Sequence, residues 1–137
     1  MKQIIIFITL VAFGGALGAI CRYLAHIYIT TNFDSNFPYS TLLVNVIGCF
    51  LIGIFMTIVT QEFNFDKTYL DHFRIFIVVG FLGSFTTFSS YGYETFQLLE
   101  QNNILHAALN ICSNLFIGFF ALWLGINTVK VFFKLIN

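Results

Sequence analysis

Four long apolar stretches, separated by short polar connectors, run along this chain. They cover residues 4–28, 39–60, 73–96 and 104–126, and the connectors cover residues 30–38, 61–71 and 97–103. A bilayer core about 30 Å thick is crossed by about 20 helical residues, and each stretch reaches that length. The pattern therefore predicts an all-α membrane protein with four transmembrane helices, forming a single domain over residues 1–137.

The third stretch departs from the composition of an ordinary membrane helix. Its residues 80–91 combine two glycines, five serine or threonine residues and four aromatic residues. Backbone inside a bilayer leaves the helix only where protein or a water-filled cavity satisfies its polar groups. Polar groups at that depth mark ion or substrate paths. We therefore expect the third helix to be broken here, and we expect the function to lie in this segment.

The overall composition agrees with a membrane location. Hydrophobic residues make up 58% of the chain and charged residues 9%, whereas a soluble domain carries about 25% charged residues. The lipid bilayer is the expected surrounding, and no nucleic-acid partner is expected. The first apolar run is too long for a cleaved signal peptide, and Arg22 interrupts it, so we interpret it as a mature span. The sequence contains no nucleophile–base pair or phosphate-binding loop, which argues against an enzyme.

Basic residues fall on one side of the predicted membrane. With four spans, the two termini and the second connector share a side, which carries Lys2, Lys67, Arg74, Lys130 and Lys134. The opposite connectors carry no Lys or Arg, and only Arg22 lies toward them. Basic residues favour the cytoplasmic side. The distribution predicts a multi-pass cell-membrane protein with both termini in the cytoplasm.

Small residues along the spans indicate close contacts between helices. Gly14 and Gly18 form a Gly-x-x-x-Gly pair, and further glycines mark the second and fourth spans. Such faces let helix backbones approach closely in lipid. The contacts lie either within one subunit or between subunits. Because four helices alone enclose a hydrated pathway poorly, we expect an oligomer.

Few polar residues occur deep in the spans. Asn45 is flanked by apolar residues, and it is either a structural asparagine bonding across helices or an amide that donates to an anion. Asn110 and Asn114 are four residues apart and share a helix face. Arg22 and Glu94 are the charged residues well inside spans, and buried charges are usually paired.

Four segments together carry a resemblance to a known family. They are residues 14–23 (GGALGAICRY), 41–48 (TLLVNVIG), 80–91 followed by Glu94, and, more weakly, 118–125. The chain resembles the small fluoride-channel family (Fluc, or CrcB). The resemblance implies an antiparallel dimer of four-helix subunits, with two fluoride pathways and a central structural sodium ion that is not transported. It implies passive, fluoride-selective export that lowers cytoplasmic fluoride and its toxicity.

The resemblance also implies roles for single residues. Gly83 and Thr86 would supply backbone carbonyls to the sodium ion, and Phe88 would present its ring edge to fluoride. Aromatic rings carry a positive edge, and hard cations prefer oxygen ligands.

The other expected roles lie along the fluoride pathway and at its mouth. Asn45 would donate its amide to the ion, and Ser89 would belong to a hydroxyl track that replaces lost hydration. Arg22 would draw anions toward one vestibule. Glu94 would act as its partner or as a gate near one end of the pathway.

Two residues depart from the family pattern. Tyr91 stands where the family usually repeats phenylalanine, and Asn110 stands where a tyrosine is common; both are placed in the fluoride pathway. The resemblance distinguishes dual-topology homodimers, which show little Lys/Arg bias, from heterodimers with fixed orientations. The lopsided charge therefore favours a partner that is homologous and oppositely oriented, although a homodimer remains open.

A small four-helix proton-coupled multidrug antiporter is the alternative function. Proton coupling needs a carboxylate embedded in the membrane, and the first span has none. Glu94, near the end of the third span, is a poor substitute.

Overall fold

The chain is described by a computed structural model over residues 1–33, 35–60 and 66–136. All regular elements in these residues are helical. They are α1 (Lys2–Asn32), α2 (Tyr39–Thr60), α3 (Lys67–Phe73), a π-helical stretch (Arg74–Leu82), α4 (Gly83–Phe85), α5 (Phe88–Glu100) and α6 (Ile104–Ile136). The segments from α3 to α5 follow one another as the third span, Lys67–Glu100.

Four stretches of the described residues are long and apolar enough to cross a bilayer: Lys2–Asn32, Tyr39–Thr60, Lys67–Glu100 and Ile104–Leu135. The prediction of an all-α chain with four membrane-crossing stretches is confirmed. Helices α1 and α6 continue to Asn32 and Ile136, beyond the predicted span ends. At 1.5 Å per residue, the 31 residues of α1 reach about 46 Å. The first part of the second predicted connector, residues 61–65, lies outside the described residues.

Glycines bring α1 against the third span. A Cβ atom added to Gly14 would meet the Phe76 carbonyl oxygen, and one added to Gly18 would meet the Phe81 carbonyl oxygen. From the other side, a Cβ on Gly80 would lie 3.1 Å from the Gly14 Cα. The two backbones approach to a distance that only glycine permits. The Gly14–Gly18 face thus packs within the chain.

A second glycine contact joins α2 to α6. A Cβ on Gly53 would meet the Leu122 carbonyl oxygen, and one on Gly125 would meet the Phe50 carbonyl oxygen. Because each helix offers its glycine to the other's backbone, α2 and α6 lie close along this part of their length. The contact brings the polar residues of the two helices within reach of each other.

Aromatic contacts identify the two ends of the helix bundle. The rings of Phe7 and His72 meet edge to face, with centroids 5.8 Å apart, so the start of α1 lies beside α3. At the other end, the rings of Phe37 and His106 lie 6.2 Å apart, which places the first connector beside the start of α6. The basic residues Lys2 and Lys67 therefore belong to the same end.

Candidate functional site

The backbone of the third span leaves helical geometry locally at two threonines. Thr86 (φ −81°, ψ 157°) and Thr87 (φ −149°, ψ 116°) have extended backbones and lie between α4 and α5. The Thr87 hydroxyl oxygen accepts the Ser90 N–H at 3.1 Å. Threonine is a favoured helix N-cap because its side chain binds one of the free N–H groups of the first turn. Thr87 therefore starts α5.

Asn45 on α2 binds both backbone groups of Thr87. Its Oδ1 accepts the Thr87 N–H at 2.9 Å, and its Nδ2 donates to the Thr87 carbonyl at 3.2 Å. A buried backbone group needs a partner, and here one side chain satisfies both. The contacts are those of an asparagine bonding across helices. Its role as a donor to fluoride stays a prediction.

These two interactions redirect the N–H groups that a continuous α-helix would use. In an α-helix the N–H of each residue binds the carbonyl four residues earlier. The Thr87 N–H would bind the Gly83 carbonyl, but it donates to Asn45. The Ser90 N–H would bind the Thr86 carbonyl, but it donates to the Thr87 side chain. The carbonyls of Gly83 and Thr86 thus lose their usual α-helical donors.

A chain of side-chain hydrogen bonds continues from Asn45 into α6 and α5. Asn45 Nδ2 donates to Asn114 Oδ1 at 2.9 Å, and Asn114 Nδ2 donates to Asn110 Oδ1 at 2.9 Å. Asn110 Nδ2 donates to the Thr95 hydroxyl at 2.8 Å. The Thr95 hydroxyl donates to the Tyr91 carbonyl at 2.7 Å. We call Asn45, Asn114, Asn110 and Thr95 the amide relay.

Phe88 stands at the edge of a cavity beside these threonines. The cavity has a volume of about 250 Å³ and is lined by Asn45, Cys49, Ile52, Thr86, Thr87, Phe88, Tyr91, Asn114 and Leu115. The Phe88 side chain is 83% exposed in the single chain, and its ring centroid lies 5.5 Å from that of Tyr91. The structure therefore brings together three residues of the predicted pathway: Phe88, Tyr91 and Asn45.

Two other residues predicted for the pathway lie elsewhere. Asn110 is fully buried, with 0% of its surface exposed, and its amide is bonded inside the amide relay. Ser89 is exposed, and its hydroxyl lies 3.3 Å from that of Thr87. Neither residue lines the Phe88 cavity.

A second, more polar cavity contains the two charged residues. It has a volume of about 360 Å³ and is lined by Ala19, Arg22, Tyr23, His26, Ser40, Thr41, Val44, Thr87, Ser90 and Glu94. Glu94 Oε1 accepts the Thr41 hydroxyl at 2.7 Å. Its Oε2 is buried, and the described residues offer it no hydrogen-bond partner. Arg22 and Glu94 therefore line one cavity, and their roles in a vestibule or gate stay predictions.

Comparison with known proteins places the chain in a family. A family model described as CrcB-like protein, Camphor Resistance (CrcB), matches residues 9–126. The chain belongs to this family. The resemblance that four segments of the sequence carry is thereby confirmed.

Three relatives show how far the similarity extends. The one from Hydrogenovibrio crunogenus is 41% identical over 124 residues, which are 90% of this chain and 91% of the relative. The one from Geobacter metallireducens is 41% identical over 124 residues, covering 90% and 96% of the two chains. The one from Campylobacter jejuni is 41% identical over 118 residues, covering 86% and 93%. Each is named a fluoride-specific ion channel, FluC, and not an enzyme.

In this CrcB-family chain, the two cavities meet at a residue for which the sequence predicted no role. Thr87 lines both of them, and it is also the residue that Asn45 binds. The sequence shows only that Thr87 is one of five hydroxyl residues in the third-span segment. Its position depends on contacts with Asn45 of α2, which lies 42 residues earlier in the sequence. The local signal for its role is its residue type, because threonine is a favoured helix N-cap and the Thr87 side chain accepts the Ser90 N–H.

Proposed function

We propose that the chain is a subunit of a fluoride-selective ion channel that passively exports fluoride and lowers its cytoplasmic concentration. The observation that carries the proposal is the Phe88 cavity, which adjoins the polar cavity at Thr87. A ring edge at Phe88 offers positive electrostatic potential without a full countercharge. Hydroxyl groups of Thr87 and Ser90 replace lost water of hydration. The relatives named as fluoride channels support the same function.

Substitution of Phe88 tests this pathway. In fluoride-loaded liposomes that contain the chain assembled with its partner chain, we expect Phe88→Ala to abolish efflux while the protein still assembles, as judged by size-exclusion chromatography. Phe13→Ala is the matched control, because Phe13 is also an exposed aromatic residue but lines neither cavity. Full fluoride efflux by Phe88→Ala would refute the assignment. Measurement against chloride, and with an imposed proton gradient, separates the channel from the antiporter alternative.

A structural sodium ion fits the chemistry of Gly83 and Thr86. In an α-helix these two carbonyls would accept the N–H groups of Thr87 and Ser90, but those N–H groups bind other acceptors. A hard cation takes oxygen ligands. The interruption at Thr86 and Thr87 is thus proposed as the predicted break of the third helix. When bound, the sodium ion would supply positive charge that holds the carbonyls in place. Gly83 is exposed on the surface of the single chain.

Two carbonyls form only part of a cation site. Because hard cations take about six or more oxygen ligands, a second subunit that contributes the same pair brings the set closer to completion. This requirement supports the proposed antiparallel dimer. The basic residues at one end of the helix bundle favour a cytoplasmic location for both termini of this chain. Such a fixed orientation favours a homologous partner that is oppositely oriented.

Expression of the chain alone tests the choice of partner. We expect it to insert in one orientation and to conduct no fluoride without a second chain. Orientation is measured by accessibility of a C-terminal tag in sealed vesicles, and conduction by fluoride efflux. Insertion in both orientations together with full efflux would instead establish a homodimer.

A further inference from the structure

We infer that Asn114 and Asn110 are positioning residues that act through Asn45 to keep the Gly83 carbonyl free of the Thr87 N–H. The relevance of this to conduction rests on the proposed function. This role requires no contact between either residue and an ion, although Asn114 lines the Phe88 cavity. Their effect is to fix the orientation of one amide group on a neighbouring helix.

The direction of the amide relay is determined at its far end. The Thr95 hydroxyl has one hydrogen, which it donates to the Tyr91 carbonyl. With its hydrogen on Tyr91, the Thr95 hydroxyl accepts from Asn110, whose NH₂ group faces it. That orientation leaves Asn110 Oδ1 facing Asn114. The Asn114 NH₂ group donates to this oxygen and also to the Asn110 backbone carbonyl, at 3.0 Å, so two acceptors of Asn110 orient the Asn114 amide.

The orientation of the Asn114 amide in turn fixes that of the Asn45 amide, which binds Thr87. Asn114 directs its NH₂ group at Asn110, so its Oδ1 faces Asn45 and accepts from the Asn45 NH₂ group. The Asn45 Oδ1 is then left to accept the Thr87 N–H at 2.9 Å. Each amide in turn excludes the flipped orientation of the next one, because a flip would oppose two donors or two acceptors.

A flipped Asn45 amide would change the backbone of the third span. It would point NH₂ at the Thr87 N–H, and two donors cannot bond each other. A buried N–H group then takes the nearest acceptor, which in an α-helix is the Gly83 carbonyl. The amide relay therefore determines whether the Gly83 oxygen faces outward as a ligand or closes a helical turn.

If Asn114 had only a structural role, its substitution would lower stability without changing the hydrogen bonding of the Gly83 carbonyl. Asn114 bonds between helices, so its loss would lower stability in any case. Stability alone therefore does not distinguish the two roles. The hydrogen-bonding state of the Gly83 carbonyl does distinguish them, because only the positioning role changes it.

The sequence allows that carbonyl to be observed alone. Gly83–Ser84 is the one Gly-Ser pair in the chain, so labelling with carbonyl-¹³C glycine and ¹⁵N serine gives a single carbonyl signal by NMR. In Asn114→Leu we expect this signal to move downfield, as a carbonyl does when it gains a hydrogen bond. Ser113→Ala is the matched control, because the Ser113 hydroxyl bonds only the backbone of its own helix, at 2.6 Å to Leu109. An unchanged signal in Asn114→Leu overturns the inference.

A second test of the inference measures the rate of fluoride efflux. Loss of one hydrogen bond of about 1.4 kcal/mol corresponds to about a tenfold change, so we expect Asn114→Leu to conduct about tenfold more slowly. In the Asn45→Leu background the same substitution should have no further effect, because Asn114 acts through Asn45. An equal loss in both backgrounds overturns the inference.

The two tests also separate this inference from the proposed function. If the unmodified protein carries no fluoride even when it is assembled with its partner chain, the proposed function fails, and the carbonyl signal alone decides the positioning role. A loss of efflux without a carbonyl shift assigns Asn114 a structural role and overturns the inference. If Asn114→Leu does not fold, Asn114→Ala replaces it, with the same direction expected in both tests.

Discussion

Two glycines on α6 provide a matched test of how tightly the helices pack. Both Gly118 and Gly125 are buried and face α2. A Cβ on Gly118 would lie 3.6 Å from the Cys49 sulfur, which is ordinary van der Waals contact. A Cβ on Gly125 would meet the Phe50 carbonyl oxygen and lie 3.2 Å from the Ile54 nitrogen. Substitution by alanine is therefore accommodated at one position and opposed by backbone at the other.

The expected magnitudes follow from two contributions. Alanine stabilises a helix interior by about 0.5–1 kcal/mol relative to glycine, and both variants share this gain. Overpacking against a contact that cannot yield costs about 1–3 kcal/mol, and only Gly125→Ala incurs it. The shared gain cancels in the comparison. We expect Gly118→Ala to be more stable than Gly125→Ala by about 1–3 kcal/mol.

Unfolding by sodium dodecyl sulfate in mixed micelles measures this difference. Far-ultraviolet circular dichroism follows the loss of helix as the fraction of denaturing detergent rises, and the midpoint is compared between variants. The unmodified protein should lie between the two. Equal midpoints for Gly118→Ala and Gly125→Ala would show that α2 and α6 separate freely, and the close backbone approach would then contribute nothing to stability.

Three further outcomes follow from the site. Thr87→Val removes the cap on α5 and should lower the unfolding midpoint by an amount equivalent to about 0.5–2 kcal/mol, whereas Thr87→Ser keeps the hydroxyl and should stay near the unmodified protein; equal losses would exclude the cap. Replacement of sodium by N-methylglucamine should reduce fluoride efflux, and reversal potentials should show no sodium current; sodium-independent efflux would contradict the cation site. Tyr91→Phe keeps the ring beside Phe88 and should conduct within about twofold of the unmodified protein, whereas Tyr91→Ala should not; similar rates for both would remove the ring from the pathway.

The sequence pattern was sufficient for the number of spans because hydropathy over about 20 residues is a local property. It did not predict the π-helical stretch Arg74–Leu82, since the apolar side chains of this stretch fit an α-helix equally well. The Gly83 N–H reaches the Val78 carbonyl, five residues earlier. No single residue in the stretch encodes that spacing, which arises where glycines let α1 and the third span meet.

The roles predicted for the site residues stay predictions, but the structure shows which of these residues lie together. Phe88 and Tyr91 share a cavity with Asn45. Asn110 is predicted in the same pathway, and the structure buries it completely. The sequence does not reveal this burial, because the hydrogen-bond partners of Asn110 come from α5 as well as from its own helix.

The two hydrogen bonds between Asn45 and Thr87 affect the order in which the helices form and dock during synthesis. Asn45 lies on α2, so the proposed break of the third span depends on contacts with another helix as well as on the residues of the span. Before α2 docks, the Thr87 N–H has the Gly83 carbonyl as its acceptor, and lipid offers no water to replace it. The third span is therefore expected to leave the insertion machinery as an unbroken helix. The proposed ion site would then form only when α2 and the third span dock against each other.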